Sequence, residues 1–189
     1  MKIAINRLST VIVLIILAVA PSVCAGLKVG TGQTFIQATN PEPDKMAMVY
    51  FFRKDGSFTS GFSDFPPYLI TKSASVVPDQ QVPVTILANK TYRPMLFDPG
   101  EITFAVKAGG SHTLTLKPGE TRCIEASRVF RGVAVVGVDE VPIDKCYEQM
   151  HGLELAMTLT QLRKRNGATP LQQVGFKDLD LDPSAAPSK

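Results

Sequence analysis

The 189-residue chain contains no tryptophan, two histidines and three cysteines. Neither His112 nor His151 has a partner at the spacing that metal sites use, and no G-x-S-x-G sequence surrounds Ser111. A glycine-rich phosphate loop is also missing from the sequence. These absences weigh against a metalloenzyme, a hydrolase with a nucleophile elbow and a nucleotide-binding protein. We therefore expect no catalytic residues, no metal site and no cofactor.

An excess of charge of either sign is missing as well. Residues 1–25 hold two basic and no acidic residues, which leaves 18 basic against 17 acidic side chains in the rest of the chain. The only basic cluster is Arg163, Lys164 and Arg165, which we interpret as the solvated end of a secondary-structure element. Nucleic acid requires a larger basic surface, so we do not expect it as a partner.

The first 25 residues have the pattern of a secretory signal peptide. Lys2 and Arg7 precede an uncharged apolar run over residues 8–20, and small residues follow up to Gly26. The run has thirteen residues, fewer than the roughly 20 that a membrane-spanning helix needs. The pattern predicts cleavage between Ala25 and Gly26. It also predicts export to the periplasm or outer envelope, or secretion, with no transmembrane segment after cleavage.

Cleavage between Ala25 and Gly26 is checked by the intact mass of the exported protein, which is expected to begin at Gly26. The alternative is a lipoprotein acylated at Cys24. Lipoprotein signals place a small residue before that cysteine, whereas Val23 stands there in this chain. A mature protein that begins at a diacylated Cys24 would contradict the prediction.

Alternation of apolar and polar residues predicts short β-strands from residue 46 onward. Ile102, Phe104 and Val106 share one face, and similar runs recur about every ten positions. Pro99-Gly100 and Pro118-Gly119 form corners between strands, since proline presets the first turn angle and glycine accepts the positive φ that follows. We therefore predict an all-β fold, an antiparallel β-sandwich or open barrel of about seven to nine short strands with one short helix near the C-terminal end.

The sequence suggests four segments. They are a signal peptide (1–25), an extended leader (26–45), a β-sandwich domain (46–162) and a flexible C-terminal tail (163–189). Residues 143–150 are predicted as the short helix. The alternation from Leu153 to Leu159 favours a last strand, while a helix that runs to Arg165 is the alternative. The aromatic-rich loop 57–81 is where we expect specialised contacts.

The opening strand, A-M-V-Y-F-F-R at residues 47–53, resembles the A-x-V-Y-F-Y-R start of a family of small bacterial envelope proteins and lipoproteins of unknown function. The order that follows is similar to this family and to the related PEGA-type surface modules. It comprises a tyrosine-bearing strand at Tyr92, a corner at Pro99-Gly100, two apolar strands, and P-G-E-T at residues 118–121. The resemblance covers roughly residues 46–152 and implies an envelope β-domain without known catalytic residues.

Three functional classes stay open. The leading hypothesis is a non-enzymatic exported envelope domain that binds a protein, glycan or lipid partner through its surface and sheet edges. The alternative is a secreted effector or adhesin-like factor, and a hydrolase ranks below both. Asp139, Glu140 and Asp144 form the tightest carboxylate group, which we interpret as the acidic residues favoured at a helix start.

Removal of Cys24 with the signal peptide would leave Cys123 and Cys146 as the two cysteines of the mature chain. An oxidising compartment allows such a pair to persist as a disulfide. We therefore predict a Cys123–Cys146 bridge that fastens the short helix to the sheet. The alternative is two separate buried thiols, because free cysteine packs like a small hydrophobic residue.

Overall fold

The computed structural model describes residues 28–54, 68–74, 81–106, 109–131, 133–169, 173–179 and 181. The predicted cleavage site at Ala25 and Gly26, and Cys24 beside it, lie outside the described residues. The same holds for residues 57–67 and 75–80 of loop 57–81, whereas residues 68–74 between them form a strand.

Eleven strands and two helices lie in these described ranges. The strands are β1 (Gly30–Thr34), β2 (Ala47–Arg53), β3 (Tyr68–Ala74), β4 (Val82–Leu87), β5 (Thr91–Phe97), β6 (Gly100–Val106), β7 (Ser111–Leu116), β8 (Thr121–Arg131), β9 (Val133–Glu140), β10 (Glu154–Ala156) and β11 (Phe176–Asp178). The helices are α1 (Ile143–Met150) and α2 (Leu159–Arg165).

The strands form two sheets, which confirms the all-β sandwich with a short helix near its C-terminal end. The large sheet has the order β1-β10-β5-β2-β8-β9, and β11 also pairs with β5. The small sheet has the order β4-β3-β6-β7 and is antiparallel throughout. The large sheet is mixed, because β2 runs parallel to β8 and β10 runs parallel to β5.

The main core lies between the two sheets and is centred on three phenylalanine rings. Phe51 of β2, Phe97 of β5 and Phe104 of β6 are fully buried, with ring centroids 5.0–5.9 Å apart in edge-to-face geometry. Edge-to-face contacts bring the positive ring edge to the negative ring face. Aliphatic side chains from both sheets, such as Val49 and Leu114, complete this core.

A second core covers the opposite face of the large sheet. Alternation along β2 sends Tyr50 and Phe52 away from the small sheet, where they pack with Cys146 and Met150 of α1. Every residue of β2 is therefore buried, since both faces of this central strand are covered. The small sheet, the large sheet and α1 thus form three layers, and this arrangement explains the continuous apolar run of β2.

Both Pro-Gly corners adopt the predicted conformation. Gly100 has φ of 136° and Gly119 has φ of 73°, values that side chains other than glycine disfavour. The glycine pair Gly109-Gly110 lets the two sheets approach each other closely. Gly110 N donates to Val136 O of β9 at 2.6 Å, and a Cβ added to Gly109 would lie 2.8 Å from the same oxygen. This close approach holds the start of β7 against β9.

The predicted extended leader takes part in the fold from residue 28 onward. Strand β1 pairs with β10, and residues 34–38 lie against the second core, where Phe35 and Ala38 pack. The segment has few apolar residues, so sequence periodicity gave no strand there. Its partners are instead backbone groups of β10 and two tyrosine hydroxyls.

The C-terminal segment also differs from the predicted flexible tail. Helix α2 extends to Arg165, and β11 pairs with β5 through Phe176, whose ring stacks on Phe97 at 5.8 Å. Residues 153–165 contain both of the alternatives that the sequence left open, the strand β10 followed by the helix α2. In the part of the chain that the structure describes, no helix is long and apolar enough to span a membrane.

Candidate functional site

Strand alternation places Arg122 and Glu140 on the inner face of the large sheet. Arg122 stands two residues before Ile124, whose side chain belongs to the core between the sheets. Glu140 lies opposite Ile124 in the antiparallel pairing of β8 and β9, and opposite residues project from the same face. Both charged side chains therefore lie where the core between the sheets ends.

The small sheet contributes His112 to the same place. His112 stands two residues before Leu114 in β7, and Leu114 is part of the core between the sheets. His112 Nε2 lies 3.8 Å from Glu140 Oε2. The histidine is about one-third exposed, so it stands at the rim where the two sheets meet.

Arg122 is held by two glutamates. Its Nη1 donates to Glu140 Oε1 at 2.5 Å, and its Nη2 lies 2.8 Å from Glu120 Oε1. Glu120 is itself positioned by the Pro118-Gly119 corner, because its Oε2 accepts a hydrogen bond from Lys117 N at 3.0 Å. The guanidinium plane is thus fixed by two carboxylates at the open end of the β8–β9 hairpin, one from the residue before β8 and one from the last residue of β9.

The surroundings of Arg122 favour its charged form. Burial opposes the charged form, but the hydrogen bonds and negative charges of Glu140 and Glu120 outweigh that effect and raise the pKa of Arg122 above its ordinary value. Its Nε is buried and has no hydrogen-bond partner among the described residues.

A cleft of about 240 Å³ opens beside this cluster. Its lining has a charged part, which we call the charged wall, and an apolar part at the start of α1, which we call the apolar wall. The lining residues are Glu120, Thr121, Arg122, Cys123, Glu140, Val141, Pro142 and Ile143. We call this site the hairpin cleft.

The disulfide lies next to the hairpin cleft, in the second core. The structure joins Cys123 of β8 to Cys146 of α1, as predicted, with Cα atoms 6.3 Å apart. Both cysteines are buried. Because Cys123 lines the cleft and Cys146 is anchored in the helix, the bridge fixes the distance between the cleft's charged wall and the start of α1.

The three carboxylates of the predicted acidic group separate in the structure. Glu140 enters the hairpin cleft, whereas Asp139 and Asp144 are exposed, the latter in the first turn of α1. His151 is exposed beside Phe35, at 5.8 Å between ring centroids. No group of three or more potential metal ligands forms among the described residues.

Sequence reasoning missed Arg122 and Glu120 as site residues. The P-G-E-T-R sequence contained both, but their role depends on Glu140, which follows Arg122 by a whole hairpin. No protein-family model, curated protein or solved structure matches this chain. The fold and the hairpin cleft define a β-sandwich with a charged cleft beside its β8–β9 hairpin.

Proposed function

We propose that this protein is a non-enzymatic, exported β-domain of the bacterial envelope that binds a neutral saccharide unit of an envelope glycan in the hairpin cleft. The observation that carries the proposal is the arrangement of Arg122 between Glu120 and Glu140 at one wall of a cleft of about 240 Å³. Export rests on the pattern of residues 1–25.

The chemistry of the charged wall suits hydroxyl groups. A saccharide hydroxyl donates one hydrogen bond and accepts others, and the cleft offers carboxylate acceptors next to guanidinium donors. Pro142 and Ile143 on the apolar wall can contact the C–H face of a sugar ring. Polar groups that fix orientation beside an apolar contact surface are usual in small-molecule sites.

The sign of the charge favours a neutral ligand over an anionic one. Two glutamates face one arginine in the hairpin cleft, so the net charge of these three side chains is negative. A phosphate-bearing lipid headgroup would meet that negative charge, and like charges in a partly buried site repel. A glycan partner is therefore better supported than an anionic lipid.

The test is titration calorimetry of the purified protein with a panel of neutral disaccharides. We expect the Arg122→Ala variant to bind the best disaccharide at least about tenfold more weakly, because the variant loses charge-assisted hydrogen bonds. Lys145→Ala is the matched control, since Lys145 is an exposed basic residue next to Cys146. The control is expected to bind like the wild type, and both variants to keep its melting temperature.

Three outcomes would contradict this function. The first is equal affinity of wild type and Arg122→Ala for every sugar bound. The second is binding of basic peptides, lost in Glu140→Gln, which would assign the cleft to a protein partner. The third is a disaccharide recovered in cleaved form from the wild type but intact from His112→Ala, which would make the protein a hydrolase that uses the His112–Glu140 pair.

A further inference from the structure

A surface with a different chemistry lies on the other face of the large sheet. Two tyrosines of neighbouring strands, Tyr50 of β2 and Tyr92 of β5, point their hydroxyls away from the small sheet. The Tyr147 ring of α1 lies 5.7 Å from that of Tyr50 between centroids, and His151, just after α1, contacts Phe35. We call this surface the tyrosine groove and the chain segment that lies in it, residues 34–38, the strap.

The two tyrosine hydroxyls hold the strap through hydrogen bonds to its main chain. Tyr50 Oη accepts from Ala38 N at 2.7 Å and lies 3.3 Å from Ala38 O, to which it donates. Tyr92 Oη accepts from Ile36 N at 3.1 Å and lies 3.5 Å from Thr34 O. Each hydroxyl thus uses both its donor and its acceptor on an extended backbone, as a neighbouring strand would.

Burial keeps these hydroxyls in the form that this recognition needs. It raises the pKa of Tyr50 and of Tyr92, and a backbone hydrogen bond lowers each by less. Both hydroxyls therefore stay protonated and can donate as well as accept. Because the partners are backbone atoms, any extended segment with suitable side chains can make the same four contacts.

Two strap side chains add selectivity. The Phe35 ring lies among aromatic rings, with its centroid 5.1 Å from that of Tyr92, 5.8 Å from His151 and 6.1 Å from Tyr147. Ala38, three residues later, is buried. A larger side chain there would meet the well-packed second core. The tyrosine groove thus selects an aromatic residue followed three positions later by a small residue.

The groove and the strap differ in how firmly they are held. The groove residues belong to two central strands and to a helix anchored by the Cys123–Cys146 disulfide. The strap enters from β1, whose pairing with β10 has two register positions, Gly30 with Ala156 and Thr34 with Glu154, with an irregularity between them. Val29, just before β1, is buried in the main core, whereas Thr31, Gly32 and Thr34 are exposed. Few buried contacts therefore hold the stretch between Val29 and Phe35.

We propose that the tyrosine groove is a peptide-binding groove that the chain's own strap occupies, and that it accepts an extended segment of a partner polypeptide with an aromatic residue followed three positions later by a small one. The strap competes with the partner for the groove. The apparent affinity for the partner is therefore the intrinsic affinity multiplied by the fraction of molecules in which the strap is open.

The first test uses the unmodified protein and amide hydrogen exchange followed by NMR. The amides of Ile36 and Ala38 are expected to exchange at least about tenfold faster than the amide of Tyr50, because the strap opens without unfolding of the sheet. Exchange of all three amides at the same rate, through global unfolding alone, would overturn the proposal.

The second test measures fluorescence anisotropy of a labelled peptide with the sequence of residues 30–40. The full-length Phe35→Ala variant, whose strap is weakened, is expected to bind this peptide at least about tenfold more tightly than the wild type. A peptide in which the phenylalanine is replaced by alanine is expected not to bind. Thr39→Ala, an exposed change just beyond the strap, is the control and should bind like the wild type.

Two results of the second test would contradict the proposal. One is a Phe35→Ala variant that keeps a native circular dichroism spectrum but binds neither peptide, which would make the strap purely structural. The other is a stable dimer whose copies exchange straps, detected by light scattering, which would assign the groove to a second copy of the chain. Neither result bears on saccharide binding in the hairpin cleft, so the two proposals fail separately.

Discussion

Replacement of both Cys123 and Cys146 by alanine is expected to lower the free energy of unfolding by about 3 kcal/mol. The bridge closes a loop across a sequence separation of 23 residues, and its loss restores the freedom of that loop in the unfolded chain. For a domain of this size the melting temperature should fall by roughly 10 °C. Thermal unfolding followed by circular dichroism measures the change.

The matched control is the wild type with dithiothreitol, which removes the bond but keeps both sulfur atoms. Its melting temperature should lie close to that of the double variant, since the cross-link and not the packing of the side chains supplies the stability. Mass spectrometry of the purified protein without reductant should give a mass lower by two hydrogens than after reduction. Two alkylatable thiols after denaturation would refute the bridge.

Replacement of Arg93 by methionine is expected to cost about 3 kcal/mol of stability. Arg93 is buried in β5, and its guanidinium donates to Ala156 O of β10 at 3.1 Å and to Leu179 O at 3.2 Å. Its Nη2 also lies 3.4 Å from Asp178 Oδ1. Methionine fills similar volume but removes the donor to both carbonyl groups and leaves the Asp178 carboxylate with Gln173 as a donor. Losses of buried hydrogen bonds of this kind are large.

The effect of Arg93→Met should concentrate on the C-terminal segment. Urea denaturation measures the loss of stability, and limited proteolysis should show earlier cleavage within residues 173–179. Lys177→Met in the same segment is the control, because Lys177 is 42 % exposed and pairs with Glu42 at the surface. Its cost should stay below about 1 kcal/mol. Equal costs for the two variants would mean that Arg93 does not anchor β11.

The features that the sequence predicted correctly have local signals. Alternation identified the inner faces of β6 and β7, and the corners at Gly100 and Gly119 follow from the needs of a tight turn. Residues 153–165 could be assigned from the sequence to either a strand or a helix, because β10 and α2 share one apolar run. The capping box of Thr158 and Gln161, present in the sequence, marks where the helix begins.

The features that sequence reasoning missed depend on distant partners. Strand β1 is polar and glycine-rich and β11 has three residues, so neither has a periodicity that can be recognised. Their positions are set by Tyr92 and Arg93, which belong to β5. The hairpin cleft is similar, because the meeting of His112 with Glu140 requires the approach of β7 to β9, and no local pattern encodes that approach.

Strand β5 pairs with β2 along one edge and with both β10 and β11 along the other. On that second edge, Arg93 and Pro94 separate the residues that pair with β10 from those that pair with β11. The partner of Phe97, Phe176, is made about 80 residues later in the chain. A polypeptide that emerges with its N-terminus first can form the β6–β7 and β8–β9 hairpins early, since their contacts are local. The large sheet, however, stays open along β5 until residue 178 has emerged. The order of synthesis thus leaves the inner strand β5 with an unpaired edge until the last strand of its sheet, β11, has been made.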